Sequence, residues 1–287
     1  MSWSNPYTTT ALQPELNDAQ FAFFRELAGR HAGIGLTDIK RNMVYRRILR
    51  RLNALKIESF EEYRRLIIGD GGACELENFV NALTTNKTEF FRESHHFSHL
   101  TNKALPELLA KHGPKGQQSL RLWSAGCSSG EEAYSIAMAV REGTQSRQGW
   151  DIKILATDID TEMIALAQIG EYTIDDVAPI PDELRRRFCD ALPGKAGRVG
   201  MAKSLRELIT FNQLNLHAPW PMQRKYDVIF CRNVVIYFDK PAQISLFDRF
   251  ANLLNDGGFL YVGHSESLYK VTDRFIPLGQ SIHRKVV

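Results

Sequence analysis

The stretch Leu122-Trp123-Ser124-Ala125-Gly126-Cys127-Ser128-Ser129-Gly130-Glu131-Glu132 decides the fold. Its apolar and small residues read as a buried strand, the glycines as a tight turn, and the paired glutamates as the start of a helix. The outline is that of a nucleotide-binding turn, yet it is not G-x-G-x-x-G. The acids are the more informative part. A pyrophosphate set at a helix N-terminus needs bare N–H groups, and two carboxylates in the first turn would repel it. A ligand with a cationic end would be welcome there. S-adenosylmethionine, with a sulfonium, an ammonium and no phosphate, fits that demand, although both glutamates would also simply complement the helix dipole.

Outward from this stretch the same rhythm repeats. Leu120 to Ala125, Ile152 to Thr157, Leu208 to Phe211, Val228 to Cys231 and Phe259 to Val262 are short apolar or β-branched runs, with helical stretches after Gly130, Thr161 and Pro241. This alternation predicts a mostly parallel α/β sheet covered on both faces, with ligands beyond the carboxyl ends of its strands. Asp158, at the end of the second strand, is placed to accept the ribose hydroxyls of an adenosine. Asp160 is better read as a helix cap. Gly170 to Ser204 breaks the rhythm with Pro179, Pro181 and Pro193, which predicts a helix around Asp182 to Cys189 and then a small excursion resembling a hairpin.

The first 90 or so residues read only as helices. Asn17 or Asp18 caps a helix bearing Phe21, Phe24 and Leu27, and Gly33 ends it. Ser59 and Glu62 form a capping box, and Leu76, Phe79, Val80 and Leu83 keep helical spacing. Between them, Asp38 to Lys56 holds seven basic residues and one acidic one. On a helical wheel Val44, Ile48, Leu52 and Leu55 share a face, while Lys40, Arg46, Arg47, Arg50 and Arg51 share another. The 287-residue chain carries 36 basic and 33 acidic residues, a net of +3, so without this helix the remainder is mildly acidic. That balance argues against wholesale nucleic-acid binding and leaves one compact cationic surface, which as a solvated face needs no partner.

The composition, 44% apolar and 24% charged, excludes wholesale disorder. No run is long and apolar enough for a bilayer, and the polar start Met1 to Asn5 lacks a signal peptide's pattern, so a cytoplasmic location without membrane insertion is expected. Cys74, Cys127, Cys189 and Cys231 are far apart and read as reduced core residues. His95, His96 and His99 lack the acid of H-E-x-x-H, and no metal is expected. Gly263-His264-Ser265-Glu266-Ser267 lacks the second glycine of a hydrolase nucleophile elbow.

Four motifs combine into a resemblance. Asn81 to Glu93 (NALTTNKTEFFRE), Trp123 to Tyr134, Phe230 to Phe238 (FCRNVVIYF) and Gly263 to Glu266 (GHSE) closely resemble the CheR-type chemotaxis receptor methyltransferases, and the likeness covers nearly the whole chain. One departure is Ala133, where the family usually has proline. N-terminal helix positions tolerate either residue. The resemblance implies a Rossmann-like S-adenosylmethionine domain (residues 89–287) behind a helical N-terminal domain (1–88), with a β-subdomain inserted at about 190–204. It also implies methyl transfer to the γ-carboxylate of glutamates on chemoreceptor cytoplasmic helices, releasing S-adenosylhomocysteine and serving chemosensory adaptation.

Carried over by position, Asn86, Thr88, Arg92, Glu132, Asp158, Asn215, Leu216, Arg232 and Asn233 would hold the cofactor. Arg92 and Tyr237 would border the transferred methyl group, with Arg92 or Arg232 steering the substrate carboxylate. The basic helix would meet acidic receptor helices. A monomer is expected. Whether a receptor C-terminal tail docks near Arg185 to Arg187, Lys195 and Arg198 stays open. Two other readings compete. A nucleic-acid methyltransferase on the same fold would show Asn/Asp-Pro-Pro-aromatic or Pro-Cys, whereas this chain has Arg232-Asn233-Val234-Val235. A non-catalytic cofactor-sensing module would not need Arg92 and Tyr237.

Overall fold

A computed structural model describes residues 14–111, 118–145 and 149–286. The polar start Met1 to Asn5 lies outside them. The chain divides into two compact units. One comprises the described residues up to Arg30 together with Leu36–Leu83, and the other His31–Gly35 together with Thr84 onward.

The first unit is helical: α1 (Asp18–Ala32), α2 (Arg41–Leu55), α3 (Phe60–Ile68) and α4 (Ala73–Leu83). Local chemistry sets its boundaries. Asn17 Oδ1 accepts the Gln20 N–H at 2.9 Å, and Ser59 Oγ accepts the Glu62 N–H at 3.1 Å, each supplying a partner to a donor the helix cannot satisfy. Lys56 ends α2 in the left-handed region at φ 57°. Phe24 lies at the centre of the core, its ring 5.7 Å from Phe79 and 6.3 Å from Phe60, with Val44, Ile48 and Leu52 fully buried beside it. Leu55, placed on the apolar face by the wheel, is exposed because the helix stops there.

The cationic face of α2 is not uniform. Arg51 grips the buried Glu75 with two bonds, Nε at 3.0 Å and Nη2 at 2.7 Å, and Tyr63 donates its hydroxyl to the same carboxylate at 2.7 Å. Arg47 donates to the carbonyls of Leu83 (2.6 Å) and Ala82 (3.3 Å), groups that the end of α4 leaves unsatisfied. These two arginines, expected on a partner-facing surface, therefore bond within the unit. Arg46 and Arg50 are exposed.

The second unit begins with α5 (Ser94–His99), continues through a π-turn at Leu100–Ala104 into α6 (Leu105–Lys111), and then alternates: β1 (Ser119–Ala125), α7 (Glu131–Gly143), β2 (Asp151–Asp158), α8 (Thr161–Ile169), β3 (Glu171–Thr173), α9 (Asp182–Phe188), β4 (Cys189–Ala191), β5 (Arg198–Met201), α10 (Lys203–Arg206), β6 (Ile209–Gln213), β7 (Tyr226–Cys231), α11 (Lys240–Leu253), β8 (Leu254–Val262), β9 (Phe275–Gly279) and β10 (Ile282–Lys285). Seven strands form one sheet in the order β6-β2-β1-β7-β8-β10-β9. The first five run parallel and β10 pairs antiparallel with both β8 and β9, a C-terminal edge hairpin that the run of buried strands did not announce. The excursion forms a separate sheet, β3-β5-β4. It recruits Glu171–Thr173 and so reaches beyond residues 190–204.

Strand alternation fills both faces. Leu120, Leu122, Val228, Phe230, Phe259 and Tyr261 enter one core, and Trp123, Ala125, Ile229, Cys231, Leu260 and Val262 the other. Because β2 and β7 flank β1, the strand order reverses there, and the carboxyl ends of these strands form the switch point at which open α/β sheets bind ligands. Among the described residues no helix is long and apolar enough to cross a membrane.

The histidines of α5 are structural. His95 and His96 each direct Nε2 at the Gln280 carbonyl (3.2 and 2.9 Å), and His99 Nδ1 meets the Tyr261 hydroxyl at 2.8 Å. His96 is fully buried, and burial pushes its pKa down to about 4, only partly opposed by the Gln280 bond.

These contacts make the stability of both units testable. Arg51→Ala leaves the Glu75 carboxylate buried without its cation and should cost about 2–3 kcal/mol in urea unfolding, whereas Arg46→Ala and Arg50→Ala should each stay within about 0.5 kcal/mol. Equal losses would refute the division of the cationic face. For His96 the unfolded state takes up a proton more readily than the folded one, so its contribution is complete above about pH 6.5 and is lost as pH falls toward 4. Between pH 7 and pH 5 that loss is on the order of 2 kcal/mol. His96→Asn should flatten the pH dependence of the urea midpoint by that amount, and parallel curves for the two proteins would contradict it.

Candidate functional site

The turn after β1 is held open by backbone conformation. Gly126 and Gly130 have φ of +94° and +102°, and a Cβ on Gly126 would lie 2.4 Å from a Val234 methyl. The N–H groups of Gly126 and Cys127 both donate to the Thr157 carbonyl, at 2.7 and 2.9 Å, which ties the turn to the end of β2. Asp158 completes the tie. Its Oδ2 accepts the Ser128 N–H at 2.7 Å, and its Oδ1 accepts the Asp160 N–H at 3.0 Å. Burial raises its pKa, outweighing those two donors. Its backbone carbonyl accepts, at 2.8 Å, the N–H of Leu214, the residue preceding Asn215 and Leu216.

Glu131 and Glu132 look equivalent in sequence and are not. Ser129 donates to both oxygens of Glu131, at 3.0 and 2.8 Å, the arrangement expected of an acid complementing its own helix start. Glu132 instead takes the Ser124 hydroxyl at 2.6 Å and Arg232 Nη1 at 3.2 Å. Both carboxyls are buried and shifted upward by that burial.

Arg232 is the hub. Its side chain is 2% exposed and sits between Glu132 and Glu93, with Nε 3.2 Å from Glu93 Oε2, while Nη2 donates to the carbonyl of Arg92. The sequence reading that lets Arg232 steer a substrate carboxylate is narrowed, because this guanidinium is already committed to two acids and a carbonyl. The turn it grips is strained: Phe91 and Glu93, on either side of Arg92, have φ of 54° and 55°. Further bonds hold that turn. Ser135 Oγ accepts the Phe91 N–H at 3.0 Å, and Glu93 Oε1 accepts both the backbone N–H (3.0 Å) and ring Nδ1 (2.8 Å) of His264. Burial opposes ionisation of Glu93, yet the His264 bonds and the Arg232 charge outweigh it and hold the pKa at about 2. Arg92 emerges from this clamp, its Nη1 3.0 Å from the Lys87 carbonyl.

Tyr237 ends a short 3-10 turn, Val235–Tyr237, whose shape is set by Glu266. The buried Glu266 carboxylate accepts the backbone N–H groups of Gly263 (2.6 Å), Asn233 (2.9 Å), Val234 (2.8 Å) and Val235 (2.7 Å). Asn233 is left-handed at φ 60°, and a Cβ on Gly263 would lie 2.7 Å from its Nδ2. Asn86 donates to Asp160 Oδ2 at 2.7 Å and accepts the Ser128 hydroxyl at its carbonyl. Thr88 is half-buried two residues on. Asp160 also accepts the N–H groups of Glu162 and Met163, so the cap read from sequence is present.

Thus Asn86 and Asp158 are joined through Ser128 and Asp160, and Arg92, Glu132 and Asn233 lie around Arg232, whereas the Asn215 side chain bonds to the His31 carbonyl and the His217 N–H. Lys40, Arg46, Arg47, Arg50 and Arg51 belong to the other unit. Sequence reasoning gave no role to Glu93, His264 or Glu266. All three stood in the quoted motifs, but Glu93 finds Arg232 139 positions away and His264 171 positions away, pairings that no periodicity reports. The donor set suits a ligand with a cationic end: buried Glu132 and Asp158 at adjoining strand ends supply acceptors, and a phosphate at this helix start would meet the Glu131 and Glu132 carboxylates.

Comparison with known proteins agrees. Residues 19–84 match the all-alpha domain of CheR methyltransferase, and residues 86–283 match its SAM binding domain. A probable chemotaxis protein methyltransferase of Rhizobium etli is 43% identical over 82% of this chain and 87% of its own. Chemotaxis protein methyltransferase 2 of Pseudomonas aeruginosa is 41% identical over 92% of this chain and 91% of its own. The chemotaxis protein methyltransferase of Escherichia coli is 39% identical over 93% and 91%. With a Rossmann-like S-adenosylmethionine domain following a helical one, both matched in order, this chain belongs to the CheR family of S-adenosylmethionine-dependent methyltransferases.

Proposed function

We propose that this enzyme methylates the γ-carboxylate of glutamate side chains on the cytoplasmic helices of chemoreceptors. The names of its relatives support the substrate class. The observation that carries the chemistry is the clamped turn at 91–93, which presents Arg92 next to the buried Glu93-Arg232-Glu132 cluster. S-adenosylmethionine supplies an electrophilic methyl group. A glutamate with a reference pKa near 4.3 is already ionised at pH 7, so the protein need only hold it in line. Such positioning contributes several kcal/mol, up to about 7–11 in the best cases.

In this reading Asn86, Thr88, Glu132, Asp158, Asn215, Leu216 and Asn233 hold the cofactor, with Asp158 on the ribose and Glu132 toward the amino acid end. Arg232 acts at one remove, fixing Glu132 and the turn that carries Arg92. Arg92 steers the substrate carboxylate and Tyr237 hydrogen-bonds it, contacts that orient the nucleophile without quenching it. Arg46 and Arg50, with Lys40, form the cationic face toward acidic receptor helices. The small sheet is where a receptor C-terminal tail would seat, near Lys195 and Arg198, which both engage Glu171. The enzyme acts as a cytoplasmic monomer, on the side of the membrane where those helices lie.

Methyl transfer from labelled cofactor to a receptor cytoplasmic fragment tests the assignment. Arg92→Ala should lower kcat roughly 100-fold and Tyr237→Phe roughly tenfold, with unchanged melting temperatures. Unaltered rates in both would remove them from the reaction. Separately, the Arg46→Glu, Arg50→Glu double variant should raise KM for the receptor fragment and weaken its dependence on salt, leaving cofactor affinity intact. A fall in cofactor affinity would contradict the division of labour between the two units.

A further inference from the structure

His264 combines two properties that rarely coincide. Its side chain is 72% exposed, yet its ring is fixed in place. Glu93 Oε1 accepts both its backbone N–H at 3.0 Å and its ring Nδ1 at 2.8 Å, and Glu93 is itself 11% exposed and locked by Arg232. A carboxylate acceptor requires the proton on Nδ1, and in the neutral imidazole the opposite nitrogen, Nε2, carries a free lone pair directed away from Glu93. Glu93 is held by Arg232 and the His264 backbone without the ring.

The location gives the ring a purpose. His264 follows the carboxyl end of β8, and its neighbour Gly263 is packed so closely on Asn233 that a Cβ there would come within 3.0 Å of the Asn233 nitrogen. Its partner Glu93 is the residue after Arg92. Three separate segments, 91–93, 232–237 and 263–266, therefore meet, two of them carrying Arg92 and Tyr237, the side chains proposed to orient the methyl acceptor.

We infer that His264 is a further substrate-contact residue, its Nε2 accepting a hydrogen bond from the incoming protein segment. Backbone N–H groups within a helix are already satisfied by their own carbonyls. The donor on a helical substrate is thus a side-chain N–H or O–H neighbouring the methylated glutamate. This inference rests on the proposed methylation of receptor helices.

Isosteric variants separate the two nitrogens. The shorter amide introduced by His264→Asn reaches only as far as Nδ1 and keeps the bond to Glu93, whereas His264→Gln places its amide near Nε2. Kinetics on a receptor cytoplasmic fragment, with cofactor affinity from calorimetric titration, give the readout. His264→Asn and His264→Ala should both lower kcat/KM for the receptor fragment roughly tenfold, mostly through KM, with cofactor affinity within about twofold of the parent. His264→Gln should recover part of the loss. A His264→Asn enzyme as efficient as the parent would show that the ring serves only Glu93 and overturn the inference. A fall in cofactor affinity would overturn it too. Parent enzyme that binds cofactor but leaves the receptor fragment unmodified would instead refute the substrate reading, and this inference with it.

Discussion

A single buried guanidinium ties the catalytic unit together. Arg232 lies at the carboxyl end of β7 with almost no contact with water, and the two acids that neutralise it come from different parts of the chain. Glu132 belongs to the helix that follows the glycine turn, and Glu93 to the segment leading into α5. Transfer of such a cation out of water costs several kcal/mol, which only well-placed carboxylates and hydrogen bonds offset. Removing either acid would strand charge in the interior. The cluster therefore selects one arrangement of three segments over the many that hydrophobic packing alone would accept.

The strain flanking Arg92 is a consequence of that arrangement. Left-handed backbone at two non-glycine residues costs on the order of 1–3 kcal/mol each, and it persists because Ser135, Arg232 and His264 together over-determine the turn. Glu266 does the same for the neighbouring loop, committing a buried carboxylate to five backbone N–H groups, those of Gly263 and of residues 233–236, to shape the segment that carries Tyr237. Two loops that would otherwise be soft are thus held rigid by anions, and the side chains they present are the ones proposed to orient the methyl acceptor. Rigid presentation is what a reaction without acid-base chemistry requires of its protein.

Much of this architecture could be read from residues alone. Periodicity located the five parallel strands and the helices between them, because a strand buried on both faces leaves an uninterrupted apolar run. Capping residues such as Asn17, Ser59 and Asp160 act on donors two or three positions away, so their role is visible locally. The edge hairpin β9-β10 was missed, since Phe275–Gly279 contains a proline and exposes most of its residues. The cationic helix was recognised as a stripe but not resolved into its parts. A wheel shows which arginines share an arc, and it does not show that Glu75 and the end of α4 wait beneath two of them.

Sequence by itself determined the class of fold, the helical unit ahead of it and, through four motifs in order, the family. These follow from patterns whose interactions are short in sequence or repeated along it. Tertiary structure alone decided that Glu131 and Glu132 have different partners, that Arg232 is a buried organiser, and that Glu93, His264 and Glu266 hold the two loops of the site. The physical reason is range. A carboxylate chooses among cations and N–H groups within about 3 Å of it, and beside near neighbours such as Ser124 for Glu132 and Gly263 for Glu266, these acids take partners that sheet topology brings from 33 to 171 residues away, Arg232 for Glu132 and Glu93, His264 for Glu93 and the Asn233 N–H for Glu266.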